Sequence, residues 1–168
     1  MMKESLIQVI CGPGKGKTTC AMGRGVSALG KGSTVIMVQF LKGSLNADNM
    51  EIIQRLEPEF KIFRFEKTTV SFEALSEKEK EEASINIRNG LNFAKKVLVT
   101  GECSILILDE ILGILDEGII SLDELGALIE QARRAQVRLI LTGTVYPQAL
   151  DAWVDDVTTV ETRYSFDS

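Results

Sequence analysis

Lys17, Thr18 and Thr19 follow directly on three closely spaced glycines, Gly12, Gly14 and Gly16, in the run CGPGKGKTT. These residue types in this order suit the holding of a polyphosphate. Glycine lets backbone N–H groups converge on a ligand because no Cβ intervenes. The lysine supplies charge to the terminal phosphates, and the hydroxyl after it is placed to bind Mg²⁺. Counted back from Gly16-Lys17-Thr18, the first glycine of the usual motif falls at Cys11, and Gly12 comes one residue late. The loop is therefore an atypical, shorter P-loop with an additional lysine, Lys15. Gly12, Pro13, Gly14, Lys15, Gly16, Lys17, Thr18 and Thr19 are expected to bind a nucleoside triphosphate.

A second group with chemical potential is Asp109-Glu110, which ends the apolar run SILIL. An acid at the carboxyl end of a buried strand lies where ligands bind in open α/β sheets, and phosphate-loop proteins use one to bring a carboxylate near Mg²⁺. The metal takes one or two protein oxygens, with phosphate and water completing its shell. Thr18 and Glu110 are the expected protein ligands, with Asp109 close behind. Catalytic weight falls on Lys17, Thr18 and Glu110.

The elements that must position these residues follow from hydrophobic patterning. Residues 6–10 read as a buried strand and 17–29 as a helix, ended by Gly30. Strands are expected over 34–40, 60–65 (more exposed), 104–108, 137–141 and 157–160. A loop near the ligand is expected over 41–49, a short helix over 52–56 and a loop over 67–72. A long helix over 77–99 opens with Ser76 and Glu79 as a capping box. A further helix over 121–135 opens with Ser121 and Glu124 in the same pattern, and 147–154 reads as helical. Strands alternating with helices predict an α/β fold of the P-loop type: a mostly parallel sheet of five to six strands, helices on both faces, in one ATP-binding domain spanning 1–168.

Composition excludes several classes. A net charge of −5 argues against a nucleic-acid binder. The sequence has no histidine, and its three cysteines, Cys11, Cys20 and Cys103, show no metal-ligand spacing, which excludes the usual zinc sites and any histidine-based triad. Cys103 is expected in the core, and Cys11 and Cys20 as small fillers beside the loop. The apolar stretch 105–120 is interrupted by Asp109, Glu110, Asp116 and Glu117, so no membrane span is expected, and a cytoplasmic protein is the consistent reading.

With both motifs placed, the chain resembles the short P-loop ATP:corrinoid adenosyltransferases. The matching pieces are GPGKGKTT (12–19), ALGKGSTVIMVQFLKG (28–43), ILILDE (105–110) and LILTGTVYPQAL (139–150), of which VQFLKG is the most discriminating. The resemblance implies that ATP gives its 5′-deoxyadenosyl group to the Co(I) of a corrinoid (cobalamin, cobinamide or cobyrinic acid diamide), releasing tripolyphosphate. It also implies a homodimer and a flavoprotein reductant. Some positions depart from the family. Ser27 stands where an arginine is usual, and Arg24, one turn earlier, is expected to serve the same face. Thr144 replaces the arginine of TGR. TVSF (69–72) keeps only Phe72 of an aromatic pair that serves the corrinoid. The acidic residues usual after KG give way to Ser44-Leu45-Asn46-Ala47-Asp48, and these 168 residues carry no tail rich in Lys, His, Gly and Tyr. Two other functions remain open: an ATPase or kinase acting at the γ-phosphate, with Glu110 or Gln39 orienting water or acceptor, and a non-catalytic relative that binds ATP or a corrinoid.

Overall fold

The computed structural model describes residues 6–41, 47–65, 71–164 and 166. Expectations for 42–46 and for 66–70, including Thr69 and Val70, fall outside the described residues. Among those described, six strands form one sheet: β1 (Ile7–Cys11), β2 (Val35–Gln39), β3 (Phe60–Arg64), β4 (Ile105–Asp109), β5 (Arg138–Thr142) and β6 (Asp156–Thr159). Five α-helices connect them: α1 (Lys17–Leu29), α2 (Ala47–Gln54), α3 (Glu77–Thr100), α4 (Ile111–Asp116) and α5 (Leu122–Ala135). The strand order is β3-β2-β4-β5-β1-β6 and every pairing is parallel. The expected α/β architecture is therefore the observed one.

The pleat sorts the core into two layers, because successive strand residues face opposite sides. Ile36 and Val38 of β2, with Leu106 and Leu108 of β4, face a layer built with α3, α4 and α5. Val35, Met37, Ile105 and Ile107 face the layer under α1, where Ala21, Met22 and Ala28 pack. Four central strands buried on both faces explain why their sequences read as continuous apolar runs rather than alternations.

Several boundaries are corrected. The helix expected over 52–56 begins earlier, at Ala47, so the expected loop over 41–49 is shortened at its end. Phe72, expected in a loop, opens a 3-10 turn (Phe72–Ala74), and the segment expected to be helical over 147–154 is a 3-10 helix (Gln148–Ala152). Helix α4 was not expected at all. The capping box at Ser76 is complete, each partner bonding the other's backbone. At Ser121 only the hydroxyl half forms, because the Glu124 carboxylate turns to Arg88 instead.

Asp155 fastens the entry of β1. Its Oδ2 accepts the N–H groups of Leu6 (3.0 Å) and Ile7 (2.8 Å), and its Oδ1 meets Arg133 of α5 at 2.9 Å. Burial alone would raise this carboxyl, but Arg133 and the two backbone donors outweigh it and hold it below the usual carboxylate range. A carboxyl depressed in the folded state adds stability above its unfolded pKa and loses it as pH falls through the folded value. Asp155→Ala is expected to cost about 1–2 kcal/mol near neutral pH, or roughly 3–6 °C in Tm. The gap from the parent should narrow in thermal melts as the pH falls below the usual carboxylate range and through the depressed folded value, since the parent then loses the same interaction.

Candidate functional site

In a parallel sheet all strands end at one edge, and the four adjacent strands β3, β2, β4 and β5 end here on a polar residue: Arg64, Gln39, Asp109 and Thr142. Register brings them side by side, with Gln39 opposite both Arg64 and Asp109. The glycine-rich loop leaves β1 at the same edge. Its last residue, Gly16, takes a left-handed conformation (φ 97°) that glycine adopts without strain, and α1 starts there with no side-chain cap on its first turn. The N–H groups of that turn are thus presented to an anion.

The rest of the loop is held by the protein itself. The N–H of Gly12 donates to the Thr144 carbonyl (3.0 Å) and that of Gly14 to the Val160 carbonyl (2.8 Å), while the Lys15 N–H donates to Thr162 Oγ1 (2.9 Å). A Cβ at Gly14 would stand 2.6 Å from the Val160 oxygen, so the chain beyond β6 can approach only a glycine here. Lys17 folds its Nζ back onto the Gly14 carbonyl at 2.8 Å, across the mouth of the loop.

Asp109 is fully buried and forms the hub of the site. Its Oδ1 accepts from Thr18 Oγ1 at 2.9 Å and from Thr142 Oγ1 at 2.7 Å, and its Oδ2 accepts from Gln39 Nε2 at 3.2 Å. Burial pushes this carboxyl up; the hydrogen bonds from Thr142, Thr18 and Gln39 and the nearby Arg64 charge oppose that rise. Next to it, Glu110 caps α4 in a left-handed conformation (φ 64°), its N–H fixed by Thr142 Oγ1 at 2.9 Å. A non-glycine residue held this way stores strain of about 1–2 kcal/mol. Burial and the charge of Asp109 raise the Glu110 carboxyl, and Lys17 opposes them.

The structure therefore gathers Gly12, Gly14, Lys15, Gly16, Lys17, Thr18, Asp109 and Glu110 at one edge, and it is Asp109 that touches Thr18 directly. Pro13 lies within the loop between Gly12 and Gly14, and Thr19 follows Thr18 in the first turn of α1. Arg24 sits apart, about 10 Å further along α1 at 1.5 Å per residue. There it donates to Gln8 Oε1 (3.0 Å) and Thr158 Oγ1 (3.1 Å), in a groove it shares with Ser27 and Arg138. Phe72 lies on the connection leaving the edge strand β3, with Lys80 Nζ 5.8 Å from its ring centroid. Thr142, Arg64 and Thr162 escaped sequence reasoning. The first two could have been found by aligning strand ends: Thr142 closes the apolar run of β5, and Arg64 is the last residue of the alternating strand β3.

No group of three or more His, Cys, Asp or Glu gathers as a ready metal centre among the described residues. The oxygen donors that do meet, Thr18 and Asp109 with Glu110 adjoining, fit a hard cation that takes most of its shell from phosphate and water. Among the same residues no helix is long and apolar enough to cross a membrane.

This fold defines an α/β protein consistent with a P-loop-like domain. Its sequence from 3 to 166 matches the family model of the ATP:corrinoid adenosyltransferases BtuR/CobO/CobP. The chain belongs to this family, whose members are enzymes. It is 27% identical over 141 residues to the corrinoid adenosyltransferase of Escherichia coli strain K12, covering 84% of this chain and 68% of that protein. A corrinoid adenosyltransferase of Pseudomonas aeruginosa is 27% identical over 147 residues, covering 84% of this chain and 67% of its own length.

Proposed function

We propose that this protein transfers the 5′-deoxyadenosyl group of ATP to the Co(I) of a corrinoid and releases tripolyphosphate. The observation that carries this reading is membership of the adenosyltransferase family along residues 3–166. Co(I) attacks C5′, a Co–C bond forms, and the C5′–O bond breaks with its electron pair leaving on the triphosphate. The loop therefore holds a leaving group. The first turn of α1, Lys15 and Lys17 gather donors and charge where negative charge grows as that bond breaks. Thr18, Asp109 and Glu110 are the residues that would hold Mg²⁺, which when bound neutralises part of the triphosphate charge. No side chain need act as a general base, since the nucleophile is the reduced cobalt. We assign Arg24 to nucleotide binding and Phe72 to the corrinoid side.

The whole of 1–168 acts on this reading as one ATP-binding domain, as a cytoplasmic homodimer served by a flavoprotein reductant. For the γ-phosphate alternative Gln39 offers little, because it is 1% exposed and has its amide engaged at both ends, which leaves Glu110 as the residue to orient water or acceptor. An anaerobic assay with MgATP and chemically reduced cobalamin or cobinamide tests the proposal. Adenosylated corrinoid with tripolyphosphate is the expected outcome. Release of ADP, or nucleotide bound with the corrinoid untouched, would overturn it.

Phe72→Ala separates the two substrates. Loss of a ring contact of ~1–1.5 kcal/mol should raise the KM for the corrinoid roughly tenfold and leave ATP affinity near that of the parent. An equal loss for both substrates would remove Phe72 from the corrinoid side.

A further inference from the structure

Arg64 and Gln39 lie beyond every residue the sequence marks for phosphate or metal, yet they reach the hub of the site. Arg64 Nε donates to Gln39 Oε1 at 2.7 Å, and Gln39 Nε2 donates to Asp109 Oδ2 at 3.2 Å. A guanidinium can only donate and a carboxylate only accept, so the amide between them has one permitted orientation. Thr18 and Thr142 fill Oδ1 of the same carboxylate. Three of its roughly four lone-pair sites are thus assigned, and its rotation is fixed from both sides.

We propose that Arg64 and Gln39 are positioning residues for the triphosphate–metal site, with Arg64 setting the Gln39 amide so that Asp109 is held as a correctly turned carboxylate beside Thr18. This rests on the reading of Asp109 and Thr18 as the metal-facing pair. Without Arg64 the Gln39 side chain loses the bond that anchors its oxygen and is held only by Asp109 itself, so the brace on the Oδ2 side slackens and Asp109 is no longer fixed in its turn toward Thr18. The fault then falls on the metal-dependent part of nucleotide binding and not on the loop. Arg64 is exposed at the end of an edge strand, so its removal leaves the core intact.

The test is calorimetric titration with ATP, in Mg²⁺ and in EDTA, of the parent, Arg64→Ala, Arg64→Lys and Lys17→Ala, with Mn²⁺ paramagnetic resonance as a direct view of the metal. Partners behind metal ligands are worth about 10- to 100-fold in metal affinity. Arg64→Ala is expected to lose roughly tenfold in Mg²⁺-ATP affinity and little in EDTA, with an altered Mn²⁺ spectrum. Arg64→Lys should recover most of the loss, because its ammonium can still donate to Gln39 Oε1. Equal loss with and without metal would make Arg64 a direct phosphate contact and overturn the proposal, as would no loss at all. Should Lys17→Ala also bind normally, the phosphate-site reading itself falls. A damaged Lys17→Ala beside a normal Arg64→Ala sinks the positioning role alone.

Discussion

Lys17→Ala loses tight MgATP binding while keeping its fold. Lys17 is the side chain folded across the mouth of the loop, and its contact there is one hydrogen bond to the Gly14 carbonyl. Beyond that bond its charge only opposes the rise of the Glu110 carboxyl, so the melting temperature should stay within about 2 °C of the parent. In the complex the same ammonium would face the triphosphate, and truncating one member of such a charged pair costs on the order of 2–5 kcal/mol. That corresponds to roughly 30-fold or more in affinity, read by calorimetric titration with MgATP. Unchanged affinity in a folded variant would remove the loop from nucleotide binding and leave the glycines to be explained by the approach of Val160 alone.

Asp109→Asn should part stability from function. The carboxylate is buried, and ionising it there is costly. Its folded pKa is raised, chiefly by burial, so between the unfolded value and the raised one the folded form binds more protons. Over that window the parent loses stability as pH rises. The amide abolishes this dependence. Its oxygen can accept from Gln39, and its NH₂ can face Thr18 and Thr142, whose hydroxyls rotate to accept. The variant is therefore expected to melt at or above the parent temperature near pH 8. Its metal-dependent ATP affinity should nevertheless fall on the order of 100-fold, since an anionic ligand has been lost. Paired melts and titrations at pH 6 and 8 would check both halves; a large drop in Tm would mean that the charge supports the fold.

Much of this was legible because the chemistry is local. Strand β1, the loop and α1 form one continuous signal, and α1 runs over the very residues 17–29 that periodicity marks. The buried strands declare themselves as apolar runs, and Ser76 with Glu79 shows where α3 starts. Helix α4 stayed hidden because ILGILD continues the apolar run of β4. The break between them is a left-handed Glu110, a residue type with no preference for that conformation. In the site, the loop lysine and hydroxyls could be named from spacing. The union of Thr18, Thr142, Gln39 and Asp109 could not, since only the sheet register brings three distant strand ends together beside the first turn of α1. Arg24 was legible as a residue of α1, but its bonds to Gln8 and Thr158 were not, because β1 and β6 bring those partners in from distant stretches of the chain.

The bonds from Val160 and Thr162 to Gly14 and Lys15 bear on the entropy of ligand capture. A glycine-rich segment is the most expensive kind of backbone to immobilise, at about 1–2 kcal/mol per residue. When a ligand must order such a segment, that cost is subtracted from its affinity. Here the segment after β6 has already ordered it during folding. On the proposed reading, affinity for the triphosphate would depend on residues that need not touch it, and changes near 160–162 would register as weaker binding by a pre-organised loop that had become a slack one.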